Sequence, residues 1–178
     1  MPKDEGSLVE DAIKGDRDAF VSLVKTHQQR IFALSCSLVG DYHLAQDAAQ
    51  ETFLRAFKAV KTLKDPEKFG SWLAGIAYRV SKEFRRGEAK DAAFKPGYPD
   101  DLSFLVKDGV ETDVQETMFD AVNSLTDDAR AILALKYIEG LSYDQMAELL
   151  EIEPKTVKSR LFSARKLLRE KFGSFRPK

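Results

Sequence analysis

The side chains best placed to do chemistry lie at the C-terminal end. After Glu153 the sequence carries nine basic residues, Lys155, Lys158, Arg160, Arg165, Lys166, Arg169, Lys171, Arg176 and Lys178, against a single acid, Glu170, in a chain whose formal net charge is −1. Val157, Leu161, Ala164 and Leu168 recur at helical spacing and form an inner stripe. The outer side carries Lys155, Lys158, Ser159, Arg160, Phe162, Arg165 and Arg169. A helix with that outer side fits the major groove of duplex DNA. Its cations neutralise phosphates and reach guanine, its hydroxyls donate to phosphate or base, and an exposed ring packs on a thymine methyl. A solvated basic terminus has the same charge. What favours DNA is the capped helix immediately upstream, "SYDQMAELL", joined by the three-residue turn "EIE" in a helix-turn-helix arrangement.

Two faces in the first half also stand out. In "EKFGSWLAGIAYRVSKEFRR" the residues Gly75, Tyr78, Arg79, Lys82, Arg85 and Arg86 lie opposite the apolar stripe. Basic groups interleaved with an aromatic suit a single strand: the cations hold the backbone and the ring stacks on a base. A charged, solvated surface is the plainer reading of that face alone. In "YHLAQDAAQETFLRAFKAV" the outer face holds Asp47, Gln50, Glu51, Leu54 and Lys58. Leu54, an apolar residue beside carboxylates, is suited to docking on a partner protein's basic helices.

Catalytic constellations are missing. The sequence has no glycine-rich phosphate loop and no H-E-x-x-H pair. His27 shares an apolar stripe and reads as structural. His43 has no cysteine or second histidine at ligand spacing, and Cys36, the single cysteine, reads as a small buried hydrophobe. These residues predict a protein that is not an enzyme and has no metal or cofactor.

The elements that must position these faces are helices throughout. A first helix is expected across "DAFVSLVKTHQQRIFALSCSLVG", with Phe20, Val24, His27, Ile31, Leu34 and Leu38 inward, Gly40 as its stop and Asp41 as the next N-cap. A second carries Ala45, Ala48, Ala49, Thr52, Phe53, Ala56 and Val60 inward. Asp65 and Pro66 open a third, which buries Phe69, Trp72, Leu73, Ile76, Val80 and Phe84 and ends at Gly87. Residues 88–112 contain Pro96, Gly97, Pro99 and Gly109 and read as a flexible linker. Beyond it, Thr112 and Thr126 cap two helices. Ser142 and Gln145 form a capping box for the next, and Pro154 opens the last. The stretch 100–128 is strongly acidic, which offsets the basic end. At 178 residues, with no apolar run near the roughly 20 residues of a membrane span and no signal-peptide pattern, the chain reads as cytoplasmic, all-α and built from two small domains.

Three of these segments, in order, are similar to bacterial RNA polymerase sigma factors of the extracytoplasmic-function (ECF, group IV) type. "LAQDAAQETFLRAF" resembles their polymerase-binding helix. "FGSWLAGIAYRVSKEFRR" resembles the segment that follows, and "LTDDARAILALKYIEGLSYDQMAELLEIEPKTVKSRLFSARKLLRE" resembles their C-terminal helix-turn-helix domain. The resemblance implies a sigma region 2 domain at 1–87, a linker at 88–112 and a sigma region 4 domain at 113–178. It implies that Asp47, Gln50, Glu51, Phe53, Leu54 and Phe57 bind core polymerase at the β′ clamp helices. Tyr78, Arg79, Lys82, Arg85 and Arg86 would hold the melted −10 strand. Lys155, Thr156, Lys158, Ser159, Arg160, Phe162 and Ser163 would read the −35 duplex. It also implies contact with the β flap and, as in many family members, sequestration by an anti-sigma protein. Arg79 stands where the family commonly has asparagine, and Ser163 where it commonly has a basic residue. The competing reading is a stand-alone helix-turn-helix repressor or activator, which leaves the Trp72 helix and the acid-lined helix without a role.

Overall fold

The computed structural model describes residues 4–88, 121–122 and 124–174. Seven α-helices make up the described fold: α1 Glu5–Lys14, α2 Arg17–Val39, α3 Tyr42–Ala59, α4 Phe69–Glu88, α5 Asp127–Tyr137, α6 Tyr143–Leu150 and α7 Pro154–Ser174. Two 3₁₀ turns, Val60–Thr62 and Pro66–Lys68, join α3 to α4, and no β-strand occurs among the described residues. The linker expected at 88–112, apart from Glu88, and the helix expected from Thr112, apart from 121–122 and 124–125, lie outside the described residues. Leu125, near the end of that expected helix, is buried.

Helices α1–α4 form one lobe, in which α2, α3 and α4 pack on one another and α1 lies along α2. Its core is Leu23, Ile31, Leu34, Phe69, Leu73 and Val80, with Ala45, Ala48 and Ala56 letting α3 approach closely. Truncating one of the large buried residues to alanine is the change that would cost most here, about 2–5 kcal/mol. The ends are fixed locally. Asp16 accepts from Asp18 and Ala19 N–H, Gly40 closes α2 at φ +79°, and Asp41 accepts from Leu44 N–H. Helix α1 escaped the sequence pattern: Asp4 caps it through Ser7 N–H and Gly15 ends it at φ +103°. Two sequence expectations need correction. Asp65 caps the 3₁₀ turn Pro66–Lys68 and not α4 itself, which begins at Phe69. Gly87 does not end α4, which continues to Glu88, because nothing there requires a left-handed residue.

Helices α5–α7 form the second lobe around Ile132, Leu135, Leu141, Met146, Val157 and Leu161. Thr126 caps α5. Ser142 and Gln145 make the reciprocal capping box of α6, with Gln145 N–H donating to Ser142 Oγ (3.1 Å) and Ser142 N–H to Gln145 Oε1 (2.8 Å). Glu151 takes the left-handed conformation, φ +55° and ψ +44°, and its N–H and that of Ile152 cover the last carbonyls of α6. The chain thereby reverses within three residues and Pro154 starts α7.

The lobes touch. Helix α2 packs on α5, and Arg30 donates to both the Glu139 carbonyl (3.0 Å) and its carboxylate (3.1 Å). Arg85 pairs with Asp127. Leu149 of α6 lies 3.4 Å from where a Cβ on Gly75 would stand.

Candidate nucleic-acid interface

Helix α7 presents its outer side fully. Val157, Leu161 and Ala164 are buried, while Lys155, Lys158, Ser159, Arg160 and Ser163 are exposed and Phe162 is 65% exposed. At 100° per residue, Lys155, Ser159, Phe162 and Lys166 run along the crest. Lys158 flanks it on one side, with the half-buried Thr156, Ser163 and Arg160 on the other. The helix is held by α5 and α6, so a duplex meeting it finds a fixed array of donors, cations and one ring. Arg165 also faces outward and donates to Tyr137 Oη (3.4 Å), which the sequence pattern did not single out.

On α4, Lys82 lies with its Nζ 5.3 Å from the centre of the Tyr78 ring, the basic–aromatic pairing that suits a strand. Arg79, Lys82 and Arg86 are exposed. The structure engages the other two expected residues differently. Gly75 is buried under Leu149 of the second lobe. Arg85 donates to the Leu38 carbonyl (3.3 Å) and pairs with Asp127, so its charge is directed at the protein. Next to Arg79 a cleft of about 370 Å³ is lined by Trp72, Gln145, Glu148 and Glu151, which places carboxylates of α6 beside the cationic face of α4.

On α3, Leu54 is 56% and Phe57 44% exposed, and Asp47 and Gln50 face solvent. Phe53 is half-buried. Glu51 is not the open carboxylate the sequence suggested: it is half-buried and accepts from Arg55 Nε at 2.7 Å. Gln50 and Phe53 form one wall of a groove of about 410 Å³ between α3 and α2, whose other wall is Val24, Gln28, Gln29 and Phe32. The α2 side was missed in the sequence, where only the "HQQR" run, polar beside an apolar stripe, signals it.

His27 and Cys36 are structural. His27 is buried, its Nε2 3.1 Å from Glu5 Oε1 and its ring edge-on to Phe69. Cys36 is buried, and burial, aided by the Asp41 charge, pushes its thiol up to about 12. No cluster of His, Cys, Asp or Glu suited to a metal occurs among the described residues.

Comparison with known proteins assigns both halves of the chain to one family. Residues 23–90 match the family model for Sigma-70 region 2 and residues 116–168 that for Sigma-70, region 4. The chain is 32% identical over 173 residues to the RNA polymerase sigma-H factor of Pseudomonas aeruginosa, covering 90% of each. It is 31% identical over 175 residues to the ECF RNA polymerase sigma factor SigW of Bacillus subtilis, covering 88% of this chain and 90% of that one. Two solved structures share the fold at 22% identity. They are CnrH in complex with the cytosolic domain of CnrY (TM-score 0.71, 97% of this chain and 99% of the other) and RpoE of Bartonella quintana in complex with the anti-sigma factor NepR (TM-score 0.74, 88% and 98%). With both sigma regions matched in order and relatives above 30% identity along nearly their whole length, the chain belongs to the extracytoplasmic-function family of RNA polymerase sigma factors, which direct promoter-specific initiation of transcription.

Proposed function

We propose that this sigma factor docks on core polymerase through α3 and the α2–α3 groove, holds the melted −10 strand on α4 and reads the −35 duplex with the crest and flanks of α7. Asp47, Gln50, Leu54 and Phe57 meet the β′ clamp helices, with Glu51 and Phe53 supporting them from half-buried positions. Tyr78, Arg79, Lys82 and Arg86 hold the strand. Arg85 joins them once its contact with Asp127 is given up. Lys155, Lys158, Ser159, Arg160, Phe162 and Ser163 face the −35 element, with Thr156 at the edge of that surface. An apolar hollow of about 500 Å³, with Leu133, Ile138, Leu168 and Phe172 in its walls, is suited to the β flap.

The division into a region 2 domain at 1–87, a linker at 88–112 and a region 4 domain at 113–178 follows the same reading. The protein forms and breaks no bonds itself and works in the cytoplasm beside polymerase. No described helix is long and apolar enough to cross a membrane. Because the CnrH structure contains the cytosolic domain of CnrY and that of RpoE the anti-sigma factor NepR, a protein of that kind is the expected negative regulator.

The observation that carries the proposal is Phe162, a large ring 65% exposed among cations on a rigid helix whose opposite side is fully buried. A ring in that position is costly in water and useful against a base edge. The test is transcription in vitro with purified core polymerase on a promoter library. Promoter-selective initiation that requires this chain is expected. Tight binding to duplex by the chain alone, with no core-dependent initiation, would favour the stand-alone repressor.

A further inference from the structure

Arg55 sits on α3, outside the residues assigned to polymerase or DNA, and makes three charged contacts. Its Nε donates to Glu51 Oε1 at 2.7 Å. Its two terminal nitrogens grip Glu83 of α4, Nη1 to Oε1 at 3.0 Å and Nη2 to Oε2 at 2.8 Å. That is the two-pronged geometry in which a guanidinium fixes both oxygens of a carboxylate in one plane.

Glu83 is the anomaly on the cationic face of α4. It lies four residues after Arg79 and three before Arg86, the two spacings at which side chains on a helix meet. Left alone it would pair with one or both. It would also set a negative charge where the phosphates of a bound strand must pass. The hydrogen bonds from Arg55 hold its carboxyl below the ordinary 4.5, with the charges of Arg79 and Arg86 contributing less, so it stays ionised and its attraction to those neighbours is real.

We propose that Arg55 is a positioning residue for the −10 strand: it draws Glu83 toward α3 and leaves Arg79 and Arg86 available to nucleic acid. The proposal rests on the reading of α4 as the strand-holding face. It also links two surfaces, because the same guanidinium orients Glu51 beside the polymerase-docking residues. Loss of Arg55 therefore acts on both, and the two effects must be separated.

The separation uses the full chain with core polymerase in saturating excess and a fluorescent pool of random single-stranded DNA as the probe. Arg55→Ala is expected to weaken strand binding by about two- to fivefold, the range of an exposed ion pair. Arg55→Ala combined with Glu83→Gln is expected to bind within about twofold of the parent, since the amide no longer competes for Arg79 and Arg86. Circular dichroism of each variant tracks the fold. Unchanged binding by Arg55→Ala overturns the proposal. So does a loss that Glu83→Gln fails to restore, which would make Arg55 only a tie between α3 and α4. Arg79→Ala is run alongside. If it binds like the parent, the strand-holding assignment of α4 itself fails, and the role of Arg55 falls with it.

Discussion

Burial pushes the Glu139 carboxyl above the ordinary 4.5, and Arg30, a half-exposed partner, offsets this only in part. Between that ordinary value and the raised one, the folded chain holds a proton that the unfolded chain has released. Stability conferred by Glu139 is therefore greatest at low pH and falls as pH rises through this window. Glu139→Gln keeps an acceptor for Arg30 and removes the charge. Thermal unfolding should show it no less stable than the parent at pH 8, with its advantage shrinking toward pH 5. A deficit of more than about 2 kcal/mol at pH 8 would mean that the Arg30 pair outweighs desolvation. On α7, Arg160 and Lys166 should separate differently. If α7 reads the −35 duplex as proposed, Arg160 should account for about 1–3 kcal/mol of discrimination, and Arg160→Ala should relax preference at one or two −35 positions. Lys166, further along the helix and 3.9 Å from Glu170, would contact phosphate on the same reading, so Lys166→Ala should lower output on all sequences alike. Transcription from a randomised −35 library reads both. An unchanged ranking with Arg160→Ala would pass the reading role to Lys158, Ser159 and Phe162.

Among the elements, the turn between α6 and α7 stores identifiable strain. Glu151 adopts a backbone conformation that glycine takes without penalty. Glu151→Gly should raise stability by about 1 kcal/mol, measured by urea unfolding of the full chain. A loss would show that the Glu151 side chain supplies a contact that matters more than its backbone. The caps and stripes of α2, α3, α6 and α7 were legible in the sequence because they depend on residues three or four apart: Asp41 with Leu44, Ser142 with Gln145, Val157 with Leu161. Helix α1 is less legible: Leu8, Val9, Ala12 and Ile13 carry the spacing, but over ten residues the stripe is too short to stand out. The state of Arg85 and Gly75 was not legible at all, whereas the Glu51–Arg55 pair is an i,i+4 spacing that the sequence does carry. Arg55 meets Glu83 from 28 residues away and Arg30 meets Glu139 from 109. Nothing in local spacing selects one cation for one acid over such distances.

At the scale of the whole molecule, part of the proposed strand-holding face of α4 lies against the helix-turn-helix lobe, with Leu149 over Gly75, Asp127 on Arg85, and Glu148 lining the same cleft as Arg79. On the proposed reading of α4, a strand that engages Gly75 and Arg85 as well as the exposed Arg79, Lys82 and Arg86 would require the lobes to part. A short reducible cross-link between Gly75→Cys and Leu149→Cys should abolish transcription in vitro, and reductant should restore it in the same sample. Full activity of the cross-linked protein would show that the lobes need not separate. The sealed setting of Cys36 makes such work direct. The only native thiol is 1% exposed, and burial keeps it protonated even at the alkaline pH where exposed thiols ionise. The natural chain is thus already a cysteine-silent scaffold: an introduced cysteine is the sole reactive handle for a dye or spin label. The slow labelling of Cys36 itself becomes a built-in clock, ticking only when the first lobe opens globally.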